Sequence, residues 1–527
     1  MIPKAPPRIL SAAALGVVLA CVLMTFVGGW GTGISWDETF HVQRLGSYLD
    51  HGWYVLPWDL EGGEPEPGHK ASHVYAPVTA LLAHGVAILW GTDTASTVGT
   101  TPEAFAVRHL VVSALSVVGL AATAVTARIA LRSWQWGAIA AAVLVATPMW
   151  TGHAMWNIKD VPVAAGYAVV TLGLVLLVRS RQGDRTPYVG AAVLFAGAVL
   201  MVGTRPGMWA GLAASSGIAL LLLWFGGRRR RIPLLVGSLV AVYLALWAIY
   251  PQAFGNPVDL LWGSATESAD FNETEGHWWW IPANVFTEVP WLLLAASVPG
   301  VAVLQREVRE RTELGEVGAL LATQALVLPI VAIVMDSNVY TGLRQFLFVA
   351  PAMAVVAAIG LAHVTGLDRW WRLGPRALLA FAVATVVLPT LDQARLFPYN
   401  YAWAAPVPDA VGLGFTTDYW RTSVRALAPS IPADATVVCG PELQDDHTVN
   451  PDEVKARNCP ADGIGPLRPY REEMAGEWSG IADHFIIVVS GEQFLPDNCA
   501  VLDAVDRWAH FRRQRMGYVA ECWPADG

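Results

Sequence analysis

The chain has 527 residues, of which 54% are hydrophobic and 15% charged, with a mean hydropathy of +0.43. It is too apolar for a string of soluble domains and belongs with the polytopic α-helical membrane proteins. A net charge of −9, with basic residues gathered in short clusters, gives no footing for a nucleic-acid partner.

Lys4 and Arg8 precede an apolar run from Ile9 to about Trp30. It outlasts a signal-peptide core and lacks a clear small-x-small cleavage site, so it reads as a retained span, with cleavage the lesser alternative. Further spanning runs lie near residues 105–127, 135–152, 162–178, 187–203, 207–225, 233–250, 290–304, 317–335, 346–364 and 376–391. Together these predict about eleven transmembrane helices of roughly 20 residues each.

One more apolar run, Val74 to Trp90, would invert everything after it if it crossed. Loop arginines decide the point, because Lys and Arg collect on the cytoplasmic side. With that run left out, Arg128 and Arg132, then Arg179, Arg181 and Arg185, then Arg228 to Arg231, then Arg306, Arg309 and Arg311, and finally Arg369, Arg372 and Arg376 all fall on one side. The run is therefore expected to lie on or dip into the outer face. The expected topology is multi-pass in the plasma membrane, N-terminus cytoplasmic and C-terminal domain extracytoplasmic.

This divides the chain into a transmembrane catalytic domain, 1–391, and an extracytoplasmic α/β domain, 392–527. The first part has two long outer loops, 31–104 and 251–290. The second loop carries His277-Trp278-Trp279-Trp280, which reads as an interfacial aromatic belt or as a sugar-stacking surface. In the C-terminal domain, helices are expected over Asp418 to Leu427 and Val501 to Arg513. Strands are expected over Ala435 to Cys439, Phe485 to Val489 and Gly517 to Cys522. Its four cysteines fit two disulfides on an oxidising side; proximity favours Cys439 with Cys459 and Cys499 with Cys522 among three possible pairings.

The unusual polar residues share the outer face. Asp37 and Glu38 follow the first span, Asn157 to Pro162 lies between the third and fourth, Thr204 to Gly207 between the fifth and sixth, and Tyr340 to Gln345 between the ninth and tenth. Each of these last three turns holds a cation, Lys159, Arg205 or Arg344, where the topology rule depletes cations. Arginine supplies a planar fork for phosphate oxygens and lysine a point charge. A carboxylate facing such cations at a lipid boundary suits inverting glycosyl transfer from a polyprenyl-phosphate sugar. The cations take the phosphate, and the carboxylate deprotonates an acceptor hydroxyl. No cofactor is required; a divalent metal could serve but is not indicated. The absence of Asp-x-Asp and of a glycine-rich phosphate loop disfavours nucleotide-sugar and ATP chemistry.

Four segments carry a resemblance. Trp36-Asp37-Glu38 follows the first span, and Gly152-His153 with Asn157 to Pro162 is similar to a "GH…NPKDxP" turn. Tyr340 to Phe348 with Pro351 is similar to "YxGxRHfLFvxP", and Phe397 to Tyr401 with Asp418 to Ser423 is similar to "hPYqyvYfN…DYWgxS". In this order they resemble the GT-C fold glycosyltransferases, in particular the protein O-mannosyltransferase-like branch of glycosyltransferase family 39 type and its bacterial relatives. The resemblance implies Asp37 as general base supported by Glu38. Arg344, Lys159 and Arg205 would be donor-phosphate contacts, and His153, Asp160 and Tyr340 substrate contacts; the sugar-stacking reading of the second outer loop adds His277 and Trp278 as substrate contacts. Ile158, Gln345 and Arg421 depart from the family pattern, as does the lost asparagine after Tyr401, and these departures fall on the acceptor side.

The expected function is transfer of a hexose such as mannose from polyprenyl phosphate to a lipid, glycan or protein hydroxyl, among membrane lipids, at the outer face. The alternative is a transporter or flippase of lipid-linked saccharides. That class usually carries broken helices and charges near the midplane. A noncatalytic scaffold would leave the Asp37, Lys159 and Arg344 arrangement without a cause.

Overall fold

In lipid a backbone must satisfy its polar groups within the segment, so each long apolar run has one ready solution, the helix. The computed structural model of the protein describes residues 5–35, 37–65, 72–92, 102–179, 185–269, 278–335, 337, 342–366, 374–406, 418–432, 437–439, 459–460, 467–468, 485–490, 495, 497–510 and 512–523. The first half runs α1 (Arg8–Gly31), α2 (Glu38–His51), strands β1 (Leu60–Glu61) and β2 (Glu64–Pro65), α3 (Val78–Trp90), α4 (Pro102–Leu131), α5 (Trp134–Val145), α6 (Pro148–His153), α7 (Asp160–Arg179), α8 (Thr186–Val202), α9 (Trp209–Phe225) and α10 (Ile232–Ile249). The second half runs α11 (Pro251–Phe254), α12 (Pro257–Ala269), α13 (Trp280–Glu288), α14 (Trp291–Arg309), α15 (Glu313–Val334), a 3-10 turn over Gly342–Val349, α16 (Ala350–Gly366), α17 (Gly374–Leu396) and α18 (Val424–Leu427). Strands β3 (Val437–Cys439), β4 (Cys459–Pro460), β5 (Leu467–Arg468), β6 (Phe485–Ser490), β7 (Cys499–Ala509) and β8 (Arg512–Cys522) follow.

Among the described residues nine helices are long and apolar enough to cross a membrane: α1, α4, α7, α9, α10, α14, α15, α16 and α17. The other two predicted spans are shorter apolar helices, α5 with 12 residues and α8 with 17. Residues 135–152 are split because Pro148 opens a new helix, α6. At 13 residues α3 reaches only about 20 Å, short of the roughly 30 Å hydrocarbon core. It is pinned to the turn after α8, with Ala76 N–H donating to Thr204 O and Val78 N–H to Gly203 O.

α7 is buried along almost its whole length, because glycines let α8 approach its backbone closely. A Cβ on Gly166 would meet Gly197 O at 2.9 Å, and one on Gly197 would meet Val170 N at 2.7 Å. α14 and α16 cross in the same way, where a Cβ on Gly360 would stand 2.0 Å from Ala296 O.

The two ends of the bundle differ in charge. Arg132 and Arg179 both reach Glu313, at 2.6 and 2.5 Å, and Arg228 pairs with Glu316. The basic turns after α4, α7 and α9 therefore share an end with the start of α15. Lys159 precedes α7, Arg205 precedes α9 and Arg344 follows α15, which puts all three at the opposite end.

At that end sits a small sheet of order β3-β6-β8-β7, with β3 parallel to β6 and the other neighbours antiparallel. The helix expected over Val501 to Arg513 is instead the β7–β8 hairpin. Register shifts between Val501 and Asp503 and between Val505 and Asp506 break the two-residue alternation that marks a strand, so Val501, Val505 and Trp508 mimic helical spacing. The helix expected over Asp418 to Leu427 is reduced to α18, preceded by turns, because the Asp418 carboxylate takes the backbone N–H groups of Thr422 and Ser423. A disulfide joins Cys499 to Cys522, and Cys21 is free and buried in α1. The side chains of Cys439 and Cys459 lie outside the described residues.

Candidate active site

Asp37 stands at the N-cap of α2, just beyond α1. Lys159 Nζ donates to its Oδ2, and Arg344 Nη1 lies 3.8 Å from the same oxygen. Arg344 Nη1 also lies 3.6 Å from Asp160 Oδ2, and Arg205 Nη1 donates to Asp160 Oδ1 at 3.2 Å. The sequence-predicted residues Asp37, Lys159, Asp160, Arg205 and Arg344 thus form one connected cluster drawn from four separate segments.

Local chemistry explains how the Lys159-Asp160 turn is shaped. Asn157 Oδ1 accepts from the backbone N–H groups of Lys159 (3.2 Å) and Asp160 (2.9 Å), while its Nδ2 donates to Asp160 Oδ2 at 2.9 Å. This caps α7 and leaves the Asp160 carboxylate aimed at the two arginines. Asp160 is therefore both a helix-start residue and a member of the cluster. His153 is buried behind it and accepts at Nδ1 from Asn157 Nδ2 at 3.1 Å, and burial, chiefly, lowers its pKa to about 3.

Burial pushes the Asp37 carboxyl up, but the fields of Lys159 and Arg344, the Lys159 hydrogen bond and the field of Arg44 outweigh it and hold it below the ordinary carboxylate range. Burial likewise opposes the charge on Lys159, yet Asp37 and then Tyr75 and Asp160 hold the ammonium above its ordinary value.

Glu38 is turned away from this cluster. It is 1% exposed; Oε2 accepts from Ser35 N–H at 2.7 Å and Oε1 meets His109 Nε2 at 2.7 Å. The other ring nitrogen of His109 lies 2.9 Å from Gly29 O, which can only accept, so Nδ1 carries a hydrogen there. Glu38 ties the acidic loop to α4.

Two aromatic residues that sequence reasoning gave no role complete the surroundings. Tyr75 has Arg44 4.9 Å, Lys159 5.7 Å and Arg205 5.8 Å from its ring centroid. Burial raises its hydroxyl, but Lys159, Arg205 and Arg44 outweigh that and lower it. Trp420 has Arg344 at 4.3 Å and Lys159 at 5.7 Å. Its Asp-Tyr-Trp setting was visible in the sequence; nothing there signalled that Tyr75 would face three cations. His41 packs edge-on to Tyr75 at 5.1 Å and is held well below its ordinary pKa by burial and then by Arg44.

Trp278 lies before α13, 69% exposed, and is not part of the buried cluster. Tyr340 and His277 lie outside the described residues. Among the described residues no group of three or more His, Cys, Asp or Glu side chains converges to hold a metal ion.

No protein-family model matches the chain, and neither does a curated protein sequence. Its likeness is to solved structures. ArnT from Cupriavidus metallidurans bound to undecaprenyl phosphate superposes with a TM-score of 0.50 at 14% identity, covering 96% of this chain and 97% of that chain. The same protein in the apo state gives 0.50 at 13% identity, with the same coverage. The oligosaccharyltransferase of Archaeoglobus fulgidus in the apo form is more distant, with a TM-score of 0.46 at 12% identity over 81% of this chain and 62% of that chain. The chain therefore has the GT-C fold, a multi-pass membrane bundle carrying a small C-terminal sheet domain.

Proposed function

We propose that the chain is a glycosyltransferase that moves a hexose from a polyprenyl-phosphate donor to an acceptor hydroxyl with inversion. The observation that carries this reading is the half-buried Asp37 carboxylate set against Lys159 and Arg344 at one end of an apolar bundle. The bound lipid in the ArnT structure, undecaprenyl phosphate, supports the donor class. The O-mannosyltransferase-like motifs support a hexose such as mannose, with a lipid, glycan or protein hydroxyl as acceptor.

In the reaction the bond between the anomeric carbon and the phosphate oxygen breaks, and a bond to the acceptor oxygen forms. The acceptor proton passes to Asp37, and polyprenyl phosphate leaves. Arg44, Lys159, Arg205 and Arg344 gather around Asp37 and Asp160, which concentrates positive charge at this end of the bundle. A donor phosphodiester carries one negative charge and the departing monoester nearly two. Cations that reach the phosphate therefore favour the leaving group over the bound donor, the differential a transfer catalyst needs.

A carboxylate held this acidic is a weak base until something competes for its cations. A donor phosphate drawing on Lys159 and Arg344 relaxes their field at Asp37 and raises its proton affinity as the substrate arrives. Glu38 acts by positioning the loop, since both its oxygens are engaged within the fold.

We assign the site to the extracytoplasmic face. The basic turns gather at the other end of the bundle and the Cys499–Cys522 disulfide lies on the site's side. On this assignment the N-terminus is cytoplasmic. The test is transfer of radiolabelled sugar from a polyprenyl-phosphate hexose into a membrane extract by purified protein. Wild type is expected to transfer and Asp37→Asn and Arg344→Ala to lose at least 100-fold, on the order of removing one preorganised charged group. Equal transfer by the variants would place the chemistry elsewhere.

A further inference from the structure

Residues 418–425 form a strap that touches three separate parts of the molecule. Asp418, fully buried, closes it on itself by accepting from Ser423 N–H at 2.8 Å, Thr422 N–H at 3.3 Å and the Tyr401 hydroxyl. Arg421, at φ +60°, takes the left-handed conformation that lets so tight a turn close. Toward the acidic loop, Thr422 O accepts from Gly33 N–H at 3.2 Å, and Arg425 Nη1 donates to Trp30 O and Thr32 O, both at 3.0 Å. Toward the C-terminal sheet, Ser423 Oγ donates to Met516 O at 3.3 Å. Toward the site, Trp420 is 3% exposed and lays its ring against Arg344 and Trp156, at 4.3 and 4.9 Å.

We propose that Trp420 is a positioning residue for the transfer reaction: through the strap it holds the Arg344 turn in register with the Asp37 loop, which makes the C-terminal sheet part of the catalytic assembly. The inference rests on the reading of the site given above. A Trp that merely fills space needs no particular neighbour, whereas here the ring meets a guanidinium that faces both carboxylates. Those carboxylates attract Arg344 from 3.6 and 3.8 Å, beyond hydrogen-bond reach, so they fix its charge better than its orientation. The ring adds a desolvated cation–π contact that favours one orientation of the guanidinium.

The approach at Gly33 makes the coupling tight. A Cβ there would stand 2.4 Å from Thr422 O and 3.2 Å from Arg425 Cβ, so any other residue at 33 pushes the strap and the acidic loop apart. The three nearest neighbours of a Cβ at Gly33 are strap atoms of Thr422 and Arg425, so its substitution strains the junction of the strap with the acidic loop.

The test uses full-length protein with Trp420→Leu, Trp420→Phe and Gly33→Ala, read in two ways. In the transfer assay, Trp420→Leu and Gly33→Ala are expected to lower kcat/KM for the donor at least tenfold. Both should also move the acid limb of the pH profile upward, as the Arg344 field at Asp37 weakens. Trp420→Phe, which keeps a ring, should hold the limb within experimental error of wild type. Without substrate, amide exchange at Glu38 and His41 is expected to quicken at least fivefold in Trp420→Leu and Gly33→Ala. An unmoved acid limb together with unchanged exchange in both variants would overturn the proposal, leaving Trp420 a core filler. If Trp420→Leu does not fold, Trp420→Met is read in its place with the same expected changes, and Gly33→Ala reports only on the junction of the strap with the acidic loop. No transfer by wild type would sink the assigned reaction, and exchange at Glu38 and His41 would still decide the coupling.

Discussion

Arg344 Nη1 stands 3.8 Å from Asp37 Oδ2 and 3.6 Å from Asp160 Oδ2, so one guanidinium is shared by two carboxylates from different loops. Arg344→Ala should raise the pKa of Asp37, because after Lys159 it is the strongest field holding that carboxyl down. The acid limb of kcat/KM should move to higher pH in the variant. A limb that stays in place while the rate falls would separate Arg344 from Asp37. The ionised Asp37 also stabilises the fold above the ordinary carboxylate pKa of about 3.9. That contribution is lost as pH falls through the lower native value.

Glu38 is predicted to matter through the fold. Glu38→Ala leaves Ser35 N–H and His109 without their buried partner, at about 1–3 kcal/mol for each. Glu38→Gln keeps an acceptor of the same shape and should lose less. Thermal unfolding in detergent measures both, and equal melting temperatures for wild type and Glu38→Ala would refute the anchor.

The crossing of α14 and α16 should not accept a side chain at Gly360. Gly360→Val is expected to destabilise by about 1–3 kcal/mol or more, since the Cβ must displace backbone at Ala296. Gly16 in α1 has nothing within 4 Å of its Cβ position, and Gly16→Ala should be neutral or gain roughly 0.5–1 kcal/mol from helix propensity. Thermal unfolding of the pair decides whether close approach or generic glycine loss sets the cost.

His510, in the β7–β8 turn, donates to Asp392 at 2.9 Å and to Ala404 O at 2.7 Å, with Arg395 nearby and Trp403 against its ring. Chiefly through the Asp392 hydrogen bond, and against burial and Arg395, its pKa is raised. Its contribution to holding the sheet on α17 is therefore complete below about 6.5, the ordinary histidine value, and fades as pH rises through the higher native one. A histidine NMR titration should show a midpoint above 6.5 that falls in Asp392→Asn. An unshifted midpoint would remove the clamp.

The sequence by itself determined the bundle, because lipid leaves an apolar run of about 20 residues one backbone solution and restricts where arginines can sit. It also marked Asp37, Lys159, Arg205 and Arg344, since charges stranded at a membrane boundary stand out against such a background. Only the tertiary structure decided how they meet. Lys159 reaches Asp37 across 122 residues of chain, Glu38 turns inward to His109, and Tyr75 faces three cations. Such contacts depend on how the helices pack, which brings segments distant in the chain to one end of the bundle. The β7–β8 hairpin was hidden for a local reason, as bulges erase the alternation a strand would otherwise display.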